Sequence, residues 1–130
     1  MEIIFLIGRI FFGGFFLING INHITKRNMM IPYAVSKGVP VPNLAVIGSG
    51  LLILLGGLGI ILGIYVKLSL IFIIIFLALV TLKMHRFWKE TDHMMKMNEM
   101  INFMKNMALL GAALIMFAME TSWAWSLGSL

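Results

Sequence analysis

Four long apolar runs, parted by short polar stretches, decide what this chain can become. They extend from Ile3 to about Ile21, from Leu44 to Ile64, from Leu68 to Leu82 and from Met100 to Met119. Each approaches the roughly 20 residues that carry an α-helix across a bilayer. The third is short, but Lys67 and Lys83 flank it with side chains long enough to snorkel. No run alternates apolar with polar as a barrel strand must. The expected fold is therefore all-α, a transmembrane four-helix bundle forming a single domain over residues 1–130. Composition agrees: 61% of the 130 residues are hydrophobic and 12% charged, where a soluble domain has about half and a quarter. The first run lacks a basic leading segment and a small-x-small cleavage site, so it is expected to stay as a span.

The connections set orientation. All three prolines, Pro32, Pro40 and Pro42, fall between about Asn22 and Asn43, which cannot then be one plain helix. Tyr65-Val66-Lys67 reads as a tight turn. The third connection, Lys83 to Glu99, is strongly charged. Its Met97, Met100, Met104 and Met107 recur at helical spacing, which predicts that the fourth helix starts before the membrane with an apolar stripe. Lys26, Arg27 and Lys37 lie in the first connection, and Lys83, Arg86, Lys89 and Lys96 in the third. The positive-inside rule puts both in the cytoplasm and both termini outside, in a multi-pass protein of the cell membrane.

The composition and motifs disfavour several functions. With no cysteine there is no disulfide, thiolate metal site or thiol nucleophile. The net charge of +5 sits in short loops, so nucleic acid is not an expected partner. Phosphate loop, nucleophile elbow, carboxylate pair and HExxH are all missing. Met94, Met95 and Met97 beside His93 could hold Cu(I), yet the stripe has a packing explanation, so copper is not expected and no metal site is assigned.

Glycines crowd the second span. Gly56, Gly57, Gly59 and Gly63 are helix-packing candidates, Gly59 to Gly63 being a small-xxx-small pattern that serves either contacts within the monomer or self-association. On the first span Gly13, Phe16, Gly20 and His23 share a face with Arg9, expected to look into the bundle.

Polar residues inside apolar runs are the functional candidates. Lys105 and Asn106 interrupt the fourth run. Topology puts them on the same membrane side as His23, His85 and Trp88, and these five form a candidate polar cluster. The histidines could ligate haem, donate to a quinone carbonyl, relay protons or simply anchor at the interface. Their near-interfacial positions weigh against all three functional roles and toward a polar anchor; no cofactor is assigned, quinone being possible and haem not expected. Trp88 reads first as an interface anchor. On the opposite side Arg9 lies about six residues into its helix, roughly 9 Å. An Arg9–Glu120 ion pair is expected there, serving as a clamp or leaving Arg9 to meet an anion or quinone headgroup.

The motifs Gly20-Ile-Asn-His23, Tyr33-Ala-Val-Ser-Lys-Gly-Val-Pro-Val-Pro42 and Gly50-Leu-Leu-Ile-Leu-Leu-Gly-Gly57 resemble the DoxX family of small four-helix membrane proteins. His85-Arg-Phe-Trp88, Phe103-Met-Lys-Asn-Met-Ala-Leu-Leu-Gly111 and Ser126-Leu127 resemble its later motifs. The resemblance implies an integral membrane subunit or accessory of a quinone-linked redox complex, and carries over Arg9, His23, His85, Trp88, Lys105 and Asn106. Similar members often carry Glu at the position of Ile53. Here no acid lies within the four runs, so Lys105 is expected to meet headgroup phosphates, Glu99, an anionic ligand or another subunit. A non-catalytic scaffold or assembly factor is the alternative, with a small transporter third. Either leading reading expects the bilayer, and a further subunit or a homo-oligomer, as partners. Whether the chain has catalytic activity of its own is open.

Overall fold

The structure, a computed structural model, describes residues 1–119 and 122–127. Five α-helices follow one another: α1 (Glu2–Thr25), α2 (Arg27–Ser36), α3 (Pro42–Leu62), α4 (Val66–Met84) and α5 (His93–Ala118), with a 3-10 turn at Phe87–Lys89 before the last. Four of them, all but α2, are long and apolar enough to cross a membrane. At the helical rise, α4 spans ~29 Å and α5 ~39 Å, against a hydrocarbon core of roughly 30 Å.

The distribution of side chains is that of a protein solvated by lipid. Ile3, Ile4, Ile7, Ile10, Phe11 and Ile18 line the outer surface of α1, while Arg9, Ser69, Thr81, Glu99 and Asn106 are buried. Water would reverse that preference. In hydrocarbon an apolar exterior costs nothing and polar groups turn inward to find partners.

The tightest seam joins α1 to α3. On α1 the buried positions are Arg9, Gly13, Phe16 and Gly20, spaced four, three and four. On α3 Val46, Gly50, Ile53, Gly57 and Ile60 are buried with the same alternation. Gly13 meets Gly57, and Gly20 meets Gly50. One number falls as the other rises, so the helices are antiparallel, and the seven-residue repeat is that of a left-handed seam. A Cβ at Gly57 would stand 2.5 Å from the Gly13 carbonyl oxygen and 2.6 Å from the Leu17 nitrogen. Backbone thus lies on backbone, and dispersion supplies the attraction that lipid removes from the hydrophobic effect.

The other glycines serve elsewhere. Gly56 and Gly59 face Ser69 and Ile73 of α4. Gly63 ends α3 in the left-handed region at φ 70, and Tyr65 starts α4 at φ 46. The tight turn is therefore Gly63-Ile64-Tyr65, two residues earlier than the sequence suggested, with Val66 and Lys67 already helical.

From α3 the packing passes to α4 and from α4 to α5, while α1 and α5 barely approach each other. Phe16, Ile53, Ile60, Leu70, Ile73, Leu77 and Ala113 form the core. α2, bearing Pro32, packs mainly on α3, so the first connection is indeed broken into pieces. α5 begins where Asp92 accepts a hydrogen bond from the Met95 backbone N–H at 3.0 Å, a side-chain cap. The early start matches the methionine periodicity, but the stripe faces outward: Met97, Met100, Met104 and Met107 are all exposed. Only Glu99, Asn106 and Ala113 of α5 are buried, one heptad apart.

Candidate functional site

Because α1 and α5 stand apart, one half of the bundle is hollow. A cavity of about 730 Å³ lies between α1, α2, α3, α4 and α5. Its walls are largely apolar, with Phe15, Phe16, Leu52, Phe76, Leu77 and Val80 among them. Asn19, His23, Tyr33, Ser49, His85, Asn102, Lys105 and Asn106 supply its polar groups. His23, His85, Lys105 and Asn106 thus line one space. Trp88 does not. It sits on the 3-10 turn, 51% exposed, with its ring edge-on to Phe87 and Phe103 at 5.2 and 5.8 Å between centroids.

Each histidine is held by one ring nitrogen. His23 Nδ1 lies 3.1 Å from the Val46 carbonyl and 3.1 Å from Ser49 Oγ. Ser49 donates its own proton to that carbonyl, so both atoms facing Nδ1 accept and the imidazole proton belongs on Nδ1. Nε2 is left as an acceptor when the ring is neutral.

His85 is held by a residue the sequence reading placed in the charged connection. Its Nδ1 lies 2.6 Å from Glu99 Oε2. Tyr33 donates its hydroxyl to Glu99 Oε1, and Lys37 Nζ stands 3.5 Å from the same oxygen. Glu99 is only 5% exposed. Three donors on one buried carboxylate favour its charged form and leave His85 Nδ1 as the protonated nitrogen. Lys37 also binds Glu90 at 2.6 Å. Burial first, then the hydrogen bond and charge of Glu99, push the Tyr33 phenol well above its usual range.

Glu99 therefore answers the missing intramembrane acid differently from expectation. It is a buried carboxylate within an apolar helix, but it serves Tyr33, His85 and Lys37 rather than Lys105. Lys105 instead places Nζ over the Phe15 ring at 5.5 Å, bridging the gap between α5 and α1 by a cation–π contact. Asn106, 5% exposed, lines the cavity without a side-chain hydrogen bond among the described residues. Sequence reasoning did not bring Tyr33 and Lys37 to the site, and it named Glu99 only as a partner for Lys105. Glu99, Asn106 and Ala113 recur every seven residues, a signal that would have extended the inward face of α5 by two turns.

On the other membrane side, Glu120 lies outside the described residues. Arg9, 2% exposed, donates from Nε to the Ile60 carbonyl at 3.2 Å and from Nη2 to that of Ile61 at 2.8 Å. Nη1 donates to the Ala124 carbonyl. The first two are open carbonyls at the negative end of the α3 dipole. Trp123 lies under the guanidinium at 5.3 Å and edge-on to Phe5 at 5.1 Å, while the Leu127 backbone N–H bonds to the Leu62 carbonyl at 3.0 Å. Arg9 is thus a clamp on backbone, tying α1, α3 and the segment after α5 together.

A four-span bundle with this motif order has a match among protein families. The DoxX family model matches residues 4–86. The chain belongs to the DoxX family. It is a multi-pass membrane protein of that family, and the matched region includes His23 and His85 but ends before α5. No curated protein and no solved structure gives a significant match. Among the described residues no group of three or more His, Cys, Asp or Glu could hold a metal ion.

Proposed function

We propose that this DoxX protein is a membrane subunit or accessory of a quinone-linked redox complex, and that the cavity receives the quinone headgroup. The observation that carries the reading is an apolar chamber inside the bundle with His85, backed by the buried Glu99, on its wall. A small-molecule site is a mostly apolar hollow with a few convergent polar groups. A quinone needs that combination: flat apolar walls for ring and tail, and hydrogen-bonding groups for two oxygens. His23 and His85, each with Nδ1 engaged, can turn Nε2 to the ligand as acceptors toward the hydroxyls of the reduced form. Asn106 and Lys105 supply donors toward the carbonyls of the oxidised form. The positive-inside rule puts this half of the bundle toward the cytoplasm.

Purification in a mild detergent followed by organic extraction tests the reading. Quinone should accompany the wild type and fall sharply in His85→Leu. Preparations free of quinone from every mild detergent would overturn it.

A scaffold role is favoured by one observation, the outward methionine face of α5, which a partner subunit could cover. On that reading, changes at His23, His85 and Lys105 leave partner function intact, while a change at Gly57 abolishes it.

A further inference from the structure

We propose that a second, smaller pocket, between the end of α2 and the turn after α4, binds a phosphate group, carried by the headgroup of an anionic lipid or present as the free anion. The pocket encloses about 230 Å³ and is lined by Ser36, Lys37, Lys83, Arg86, Lys89 and Glu90. Four cations face one acid. Lys37 is spoken for by Glu90 at 2.6 Å and Glu99 at 3.5 Å. Lys83, Arg86 and Lys89 have no carboxylate partner among the described residues. Arg86 spends Nε on the Lys83 carbonyl at 3.4 Å, which leaves its two terminal nitrogens for a ligand.

The fold brings these charges together for a local reason. α4 ends at Met84 and the chain closes into the 3-10 turn Phe87–Lys89. Lys83 comes from the last turn of α4, Arg86 caps the 3-10 turn and Lys89 closes it, and all three line the same pocket. Gly38, at φ 71, turns the opposite wall toward Lys83, whose Nζ would stand 3.8 Å from a Cβ placed there. Three unpaired cations crowded into one recess repel each other unless an anion joins them. A phosphate offers each of them oxygen acceptors. The pocket lies at the end of α4, a helix long and apolar enough to cross a membrane, and the end of such a helix reaches the headgroup region. Basic pockets at such helix ends recognise anionic headgroups.

Native mass spectrometry of the full chain in a neutral detergent tests this. Phosphatidylglycerol and phosphatidylcholine with the same acyl chains are offered together, and inorganic phosphate is added in a second arm. The wild type should retain phosphatidylglycerol preferentially. Lys83→Gln with Lys89→Gln should reduce that preference about tenfold. Lys26→Gln with Arg27→Gln removes the same charge from exposed positions beside the pocket's membrane side and should leave the preference nearly unchanged. The single variant Lys89→Gln, at an exposed position, gives a smaller loss without threatening the fold. Displacement of the lipid by inorganic phosphate would support the site with the free anion as ligand, and resistance to it would support the lipid headgroup. Equal loss in both double variants, or no headgroup preference and no phosphate binding in the wild type, would overturn the proposal.

Discussion

Glu99→Gln is the sharpest perturbation of the polar network, because it keeps the shape of the side chain and removes its charge. The wild-type carboxylate accepts from Tyr33 Oη and His85 Nδ1 and faces Lys37. An amide retains one acceptor oxygen, which Tyr33 can still use. Its nitrogen then faces His85 Nδ1 at the 2.6 Å that now separates nitrogen from oxygen, two donors in contact. The imidazole proton must move to Nε2 so that Nδ1 can accept. Two charge-assisted bonds of about 1.5–3 kcal/mol each become neutral ones of about 0.5–1.5, a loss of roughly 2–3 kcal/mol in all. Lys37 keeps Glu90 and adds little to the loss. Glu99→Ala leaves both donors without an acceptor and should cost more, about 3–5 kcal/mol. Thermal unfolding in detergent should rank wild type above Glu99→Gln above Glu99→Ala. Nitrogen NMR of labelled histidine should find His85 protonated on Nδ1 in the wild type and on Nε2 in Glu99→Gln. Equal melting of wild type and Glu99→Gln, with an unchanged tautomer, would refute the reasoning.

Adjacent glycines on α1 should behave oppositely. A Cβ at Gly13 would lie 2.7 Å from the Gly57 carbonyl oxygen, while one at Gly14 meets nothing within 4 Å. Gly13→Ala should therefore lower the melting temperature and Gly14→Ala should not. Arg9→Leu leaves the carbonyls of Ile60, Ile61 and Ala124 short of their donor, a loss of about 3–5 kcal/mol, readable as faster proteolysis of the segment after α5. Thr81 is buried and its hydroxyl has no partner among the described residues. Thr81→Val should match or exceed the wild type in thermal stability, because a methyl replaces an unpaired hydroxyl of similar size. Tyr33, with its folded pKa raised, favours the neutral phenol. The stability it contributes is complete below the unfolded value of about 10 and is lost as pH rises above it. Tyr33→Phe should flatten that alkaline loss in a pH series of melts.

The spans were legible because a bilayer imposes length and hydropathy on every helix that crosses it. The seam was only half legible. Gly13, Gly20, Gly50 and Gly57 carry the heptad in plain view, but Gly59 and Gly63 formed the more familiar pattern and turned out to face α4 and to make a turn. The site was harder to read for a physical reason. Tyr33 and Glu99 lie 66 residues apart in the chain, and local periodicity carries no information about which distant helix fills a gap. Glu99 was assigned to a charged connection because hydropathy averages hide one inward acid at a helix start. Glu120, the carboxylate expected beside Arg9, lies outside the described residues; among those described, backbone carbonyls meet the guanidinium, and no side-chain pattern announces that.

The proposed role requires a quinone headgroup to enter the chamber beside His85. A photoreactive benzoquinone with an isoprenoid tail, irradiated with the protein in vesicles and mapped by mass spectrometry, tests it most directly. Adducts should fall on the chamber wall, among Phe15–His23 and Phe76–His85, and should be reduced in His85→Leu. Adducts spread over the outward faces of α1 and α5, at residues such as Ile7, Phe11 and Met104, and unchanged by that substitution, would contradict it.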